Sequence, residues 1–197
     1  MKDFPLTAAI FEGCLVPAAI ALGWLLGTPP LATFHLEWRD ALIGLAATLP
    51  PLGLFWLCLT CRWRPFAEIA KIMDDTLLPM LRDCPIVKLA VIATLAGLGE
   101  EMLFRGVVQT ALAETIGGPY GAWLGLLAAA VTFGLLHAIT PTYAILAGVV
   151  GLYLGGLWLA CGNLLAPIVT HGTYDLLALA YLIKLRGGEE RPESQNQ

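Results

Sequence analysis

The chain has 197 residues, of which 58% are hydrophobic and 13% are charged, and its mean hydropathy is +0.76. Because a soluble domain of this size carries about a quarter charged residues, the composition excludes an ordinary soluble protein. The net charge of −4 provides no basic face, so nucleic acid is not expected as a partner. Apolar runs long enough to cross a bilayer, which takes about 20 residues, indicate an all-α, polytopic membrane protein.

The apolar runs predict six membrane-spanning helices in a single domain that covers residues 1–185. Their expected ranges are 6–27, 40–61, 88–112, 120–139, 142–162 and 163–184. The last three connections are short, so these helices should form antiparallel hairpins. Residues 62–87 alternate charged and apolar side chains at helical spacing, which predicts an amphipathic helix at the membrane interface that ends near Pro85. Residues 186–197 are polar and are expected to form a disordered cytoplasmic tail.

The Lys and Arg side chains predict the orientation of the chain in the membrane. They cluster in residues 62–88 and near the C-terminus, whereas the opposite side carries Arg39. Both termini are therefore expected to face the cytoplasm, and we expect the location to be a bacterial inner membrane.

Three groups of polar residues lie within the predicted spans, where an ionisable side chain costs several kcal/mol on most scales and so indicates function. Their sequences are EEMLFR at 100–105, FGLLH at 133–137 and HGTYD at 171–175. Glu101 and Arg105 are four residues apart on one helix face, which predicts an ion pair. Glu100 lies about 100° round the helix and is left for another partner. The alternative is that both glutamates pair with Arg105 and only lock helices together.

The third motif places His171 and Asp175 four residues apart, so that both can face one cavity. With His137 and Glu100, they bring imidazoles and carboxylates from three spans to one region. This combination suits either a metal-bound water or a water activated by glutamate with help from histidine. Glu12 is also ionisable and lies in the first predicted span; we assign it no role from the sequence.

In this order and spacing, the three motifs resemble the CPBP family of intramembrane proteases, which includes the CAAX prenyl endopeptidases and the bacteriocin-processing proteins. The family pattern is E-E-x-x-x-R, then F-x-x-x-H, then H-x-x-x-N or D, on successive spans. The similarity extends over about 88–180, which is the expected catalytic core. The resemblance implies an intramembrane endopeptidase that cuts a membrane-anchored or lipid-modified protein.

The resemblance also implies that Glu100 is the catalytic carboxylate and that it activates water together with His137. Members of the family have been treated both as metalloproteases and as glutamate-type proteases. We favour the reaction without a metal or other cofactor. If a metal is present, zinc is the expected ion, and Glu100, His137 and His171 are its expected ligands.

The remaining motif residues have supporting roles by the same resemblance. Glu101 and Arg105 are implied to form a supporting pair, and His171 and Asp175 to stabilise the oxyanion. Asp175 departs from the more common asparagine, and an ionised aspartate cannot donate a hydrogen bond to an oxyanion. It can instead orient His171, or be protonated in its buried site.

Two other functions are compatible with these motifs. One is a noncatalytic membrane protein of the same fold that confers immunity or binds a partner. The other is a transporter or proton pathway, which also places carboxylates and histidines inside a membrane. The sequence lacks the internal repeat and broken helices of transporters, and the complete set of polar residues favours catalysis. The expected partners are the lipid bilayer and a membrane-anchored protein substrate.

Overall fold

A computed structural model of the protein describes residues 4–183. In this part of the chain all regular structure is helical, and seven helices pack into a bundle, as the sequence predicted. They are α1 (Phe4–Leu26), α2 (Trp38–Thr60), α3 (64–81), α4 (86–116), α5 (Gly121–Leu136), α6 (Pro141–Cys161) and α7 (Leu165–Tyr181). The predicted tail 186–197 and the end of the last predicted span lie outside the described residues.

Three of these helices, α1, α2 and α6, are long and apolar enough to cross a membrane. The protein is therefore an integral membrane protein. Helix α5 is apolar but has only 16 residues, which span about 24 Å at 1.5 Å per residue. This is less than the roughly 30 Å of a bilayer core. Helices α4 and α7 are less apolar because they carry the polar motifs.

Helix α3 is the predicted amphipathic helix, and it is shorter than the 62–87 segment from which it was predicted. It buries Ile69, Leu78 and Leu81 on one face, whereas the side chain of Arg64 is exposed. The buried face packs with Leu89 at the start of α4 and with residues at the start of α1 and the end of α7. Helix α3 thereby covers one end of the bundle.

Helices α2 and α4 both depart from regular α-helix, as does α3, which is π-helical at Met73–Leu77. Helix α2 is interrupted between Trp38–Ala46 and Leu49–Thr60, where Pro50 and Pro51 have no N–H to donate to the preceding turn. Helix α4 continues after Glu101 as a π-helical stretch, Met102–Gln109. Such stretches occur frequently at functional sites, and this one contains Arg105.

Glycines bring two helices into backbone contact with α4 just before its polar motif. A Cβ atom on Gly97 would lie 2.7 Å from the backbone nitrogen of Gly172 on α7. A Cβ atom on Gly99 would lie 2.9 Å from the carbonyl oxygen of Glu12 on α1. Both separations are shorter than real Cβ contacts, so α1 and α7 can approach this closely only because these residues lack a side chain. Glu100 follows directly and is held between the two helices.

A polar network fixes the other end of α7. Asn163 precedes this helix and is buried, and its amide nitrogen donates to Asp40 Oδ2 at 2.7 Å and to the carbonyl oxygen of His35 at 2.9 Å. Its amide oxygen accepts from the backbone N–H groups of His35 and Leu165, both at 3.0 Å. These bonds join the start of α7 to the start of α2, and they give Asn163 a structural role.

The close contact of α4 with α7 predicts that Gly97→Ala destabilises the protein. The added methyl group must push the two helices apart, and overpacking of this kind costs about 1–3 kcal/mol. We expect a lower melting temperature and a lower folded yield in detergent. Gly53→Ala on α2 is the matched control, since a Cβ atom there meets nothing within 4 Å. Equal melting temperatures for Gly97→Ala and Gly53→Ala would contradict the close contact between α4 and α7.

Candidate active site

Four of the predicted site residues line a single cavity of about 260 Å³ within the bundle. They are Glu100 on α4, His137 at the end of α5, and His171 and Asp175 on α7. Glu101 and Arg105 lie behind the cavity wall. The structure thus brings together residues from all three motifs, although the motifs lie on different helices.

Glu101 and Arg105 form the predicted ion pair, with Arg105 Nη1 donating to Glu101 Oε1 at 2.7 Å. Arg105 is 2% exposed and Glu101 is 0% exposed. Arg105 Nη2 donates to the carbonyl oxygen of Gly151 on α6 at 2.8 Å, and the guanidinium lies 5.1 Å from the ring centroid of Phe133 on α5. The arginine therefore connects α4 with α5 and α6, and its charge is neutralised within the bundle.

His171 is held by the same carboxylate, a contact that the sequence did not predict. Its Nδ1 lies 2.8 Å from Glu101 Oε1, and because an ionised carboxylate only accepts, Nδ1–H is the donor. The bond leaves Nε2 on the cavity side of the ring. There it lies 3.5 Å from Asp175 Oδ2 and 3.9 Å from Glu100 Oε2.

His137 is oriented by its own helix. It follows the last residue of α5, and its Nδ1 lies 2.8 Å from the carbonyl oxygen of Phe133. Since a carbonyl oxygen only accepts, Nδ1–H again donates, and Nε2 is directed towards Glu100 Oε2 at 3.8 Å. The imidazole stacks on the Phe133 ring with 4.3 Å between centroids. The four-residue spacing of the second motif thus fixes both the tautomer and the ring plane.

Glu100 contrasts with its neighbour in the helix. It is 7% exposed, and its Oε2 atom is buried without a hydrogen-bond partner among residues 4–183. The two Nε2 atoms at 3.8 and 3.9 Å are too distant for direct hydrogen bonds. An unsatisfied buried acceptor costs about 1–3 kcal/mol, so this oxygen is available to a molecule that enters the cavity.

Three further polar side chains line the cavity and were not predicted as site residues. They are Glu12 on α1, Tyr143 on α6 and Tyr174 on α7. The tyrosines were missed because aromatic residues in apolar helices resemble packing residues. For Glu12 the indication was present, since an ionisable residue inside a span calls for a partner or a function. Sequence alone could not show that α1 packs against the motif of α4.

The side chains do not form a zinc site as they are placed. Within residues 4–183, no three His, Cys, Asp or Glu side chains are grouped as metal ligands. Glu100 Oε2 lies 3.8 and 3.9 Å from the two imidazole Nε2 atoms. Ligand atoms at about 2.1 Å from a tetrahedral zinc are about 3.4 Å apart, so the three groups would have to move closer.

Residues 83–177, just under half of the chain, match the sequence model of a family described as Rce1-like, type II CAAX prenyl endopeptidase Rce1-like. The matched segment contains all three motifs. No curated protein and no solved structure matches the chain. Residues 83–177 thus carry the sequence pattern of the CPBP family, as the motifs indicated. The family supports an intramembrane endopeptidase of the CAAX type, a class that acts on membrane-anchored prenylated proteins.

The contacts of Arg105 predict a large effect of its removal on folding. Arg105→Ala leaves the Glu101 carboxylate and the Gly151 carbonyl oxygen buried without this donor, and breaking a buried pair costs about 3–5 kcal/mol. We expect a strongly reduced folded yield and melting temperature in detergent.

Arg64→Ala is the matched control for this variant. Its pair with Glu68 has the same four-residue spacing, but at 3.6 Å and with side chains 92% and 55% exposed. Exposed pairs of this kind contribute about 0–1 kcal/mol. If the two arginine variants melt at the same temperature, the buried pair does not stabilise the bundle.

Proposed function

We propose that the protein hydrolyses a peptide bond of a membrane-anchored or lipid-modified protein, with a water molecule activated by Glu100 and His137. The observation that carries this proposal is that Glu100 Oε2, which has no hydrogen-bond partner among the described residues, faces two imidazole Nε2 atoms in one cavity. A water molecule placed to one side of Glu100 and His137 can reach both at about 2.8 Å. Two acceptors then orient the hydrogens of that water.

In the first step, the water oxygen bonds to the carbonyl carbon of the scissile peptide and one water proton passes to Glu100. The π electron pair of the carbonyl moves to its oxygen, which becomes an oxyanion. His171 in its protonated form can donate to this oxyanion from Nε2, since its Nδ1 is already engaged by Glu101. In the second step an electron pair of the oxyanion re-forms the carbonyl, the C–N bond breaks with its electron pair on nitrogen, and the nitrogen takes the proton from Glu100, directly or through His137.

Glu101 and Arg105 are supporting residues in this proposal. The arginine donates to the buried carboxylate, and the carboxylate in turn accepts from His171 and orients it. Asp175 Oδ2, at 3.5 Å from His171 Nε2, favours the same protonated imidazole. Asp175 thus acts as a partner of His171, and the reaction needs no hydrogen-bond donor at position 175.

An apolar cavity beside the site supports a lipid-modified or otherwise membrane-anchored substrate. It has a volume of about 350 Å³ and lies between α3, the start of α1 and the α5–α6 connection. Its lining shares Ile69, Met73 and Tyr143 with the catalytic cavity. An apolar chain in this space would place the adjoining peptide next to Glu100.

The role of Glu100 predicts that Glu100→Gln abolishes cleavage and leaves folding intact. The amide cannot take a proton from water, and loss of a general base reduces the rate by about 10²–10⁴-fold. The assay is cleavage of a prenylated, membrane-anchored reporter peptide by purified protein in liposomes, with melting temperature as the folding check.

Glu68→Gln on the exposed face of α3 is the control for the removal of a carboxylate, and it should cleave at the wild-type rate. Equal processing by Glu100→Gln and wild type would contradict the assignment of the base. Wild-type protein that binds the reporter without cutting it would favour the noncatalytic alternative, and proton flux without cleavage would favour the transporter.

The proposed reaction uses no metal, and it predicts activity after chelation and dialysis. Glu100 Oε2 and His137 Nε2, 3.8 Å apart, can both accept a hydrogen bond from one water molecule placed to one side of them. Zinc would require its ligand atoms to converge more closely than this. Elemental analysis should find no stoichiometric metal in active protein. One zinc per chain, with activity lost on its removal and restored on its return, would overturn the metal-free reaction.

A further inference from the structure

Glu12 is the carboxyl group of the catalytic cavity to which the proposed chemistry gives no role. It lies on α1, before the segment that matches the family, and its side chain lines the same cavity as Glu100 and His171. Its Oε2 atom is buried, with no hydrogen-bond partner in the described part of the chain. A second unpaired carboxylate oxygen in the same cavity indicates a second position for a ligand group.

The packing of α1 places the backbone of Glu12 next to the residue that precedes Glu100. Its carbonyl oxygen lies where a side chain on Gly99 would be, at 2.9 Å from the Cβ position, and Gly99 precedes Glu100. Glu12 lines one cavity together with Glu100, Asp175, His171 and His137. Glu12 therefore contributes to the catalytic cavity from α1, the helix that packs directly against α4 at Gly99.

Arg105 cannot be the missing partner of Glu12. Its guanidinium is occupied by Glu101, the carbonyl oxygen of Gly151 and the ring of Phe133, and it does not line the cavity. The cavity lining thus carries several carboxyl groups and, apart from the imidazoles, no basic side chain. Such a lining favours hydrogen-bond donors and cations and disfavours a substrate carboxylate close to Glu12.

We propose that Glu12 is a substrate-binding residue that accepts a hydrogen bond from the N–H of the scissile peptide and then binds the new amino terminus of the released peptide. This inference rests on the proposed hydrolysis, which produces an amine at that nitrogen. Glu12 itself transfers no proton. The leaving nitrogen takes one proton from Glu100, and the amine becomes an ammonium with the proton that the new carboxylic acid releases.

The test compares two forms of the released peptide, one with a free amino terminus and one with that terminus acetylated. Their dissociation constants are measured by direct binding to protein in detergent, and both are also used as inhibitors of reporter cleavage. Wild type should bind the free amine about tenfold more tightly or better, as expected for a hydrogen bond to a charged group. Glu12→Gln should reduce this preference to less than about threefold.

Two further variants on α1 test whether the loss of preference for the free amine is specific to the Glu12 carboxylate. Glu12→Asp keeps the carboxylate and should retain most of the preference for the free amine. It therefore separates the loss of a binding group from a folding defect that any change at this position would cause. Cys14→Ala alters an exposed position of α1 and should behave as wild type. If a folded Glu12→Gln variant prefers the free amine as strongly as wild type does, the inference is overturned.

The same measurements distinguish this inference from the proposed hydrolysis. If wild type cleaves the reporter but does not prefer the free amine, the role of Glu12 is wrong and the hydrolysis stands. If wild type shows a Glu12-dependent preference but does not cleave, the amine-binding position stands and the hydrolysis is wrong.

Discussion

Arg105 and Glu101 form a buried ion pair at 2.7 Å, and the other polar contacts of the site are arranged around it. Through Arg105 the pair contacts Phe133 on α5 and Gly151 on α6, and through Glu101 it contacts His171 on α7. Four helices therefore meet at one pair of opposite charges. Each charge is tolerated inside the bundle only because the other is present, so helix packing and the orientation of His171 depend on the same bond.

The pair also explains why two adjacent glutamates can differ in role. Glu101 uses one oxygen for two charge-assisted contacts, with Arg105 and with His171. Glu100 points to the cavity side, where its Oε2 atom has no hydrogen-bond partner in the described residues and lies 3.8 and 3.9 Å from two imidazole nitrogens. A protein selected for stability alone would not retain an unsatisfied buried carboxylate, because it costs free energy without adding a contact. A catalytic or binding function accounts for that cost.

The sequence predicted those features that depend on local spacing. The helical spans follow from apolar runs, the Arg105–Glu101 pair follows from four-residue spacing, and the amphipathic α3 follows from its alternation of charged and apolar side chains. Contacts between distant segments were not predictable. His171 binds Glu101 across 70 residues, and the hydrogen-bonding acceptor of a histidine cannot be read from neighbouring residues.

The position of Glu12 illustrates the same limit. Its charge marked it as unusual for a membrane span, but the spans of an unaligned sequence can be packed in many orders. Only the close approach of α1 to Gly99 brings Glu12 to the cavity. The interruption of α2 and the π-helical stretch of α4 also depart from the ideal helical spacing on which the sequence predictions depend.

The central claim is that the Arg105–Glu101 pair both holds the helices together and prepares His171 for catalysis. A double-mutant cycle with Glu101→Met and Arg105→Met tests it most directly, with melting temperature and reporter cleavage measured on each variant. Each single variant leaves one buried charge and should melt well below wild type, whereas the double variant removes both charges and should recover stability, with a coupling of about 1–3 kcal/mol. Cleavage should stay low in the double variant because His171 has lost its carboxylate. Additive stability losses, or cleavage that recovers together with stability, would contradict the claim.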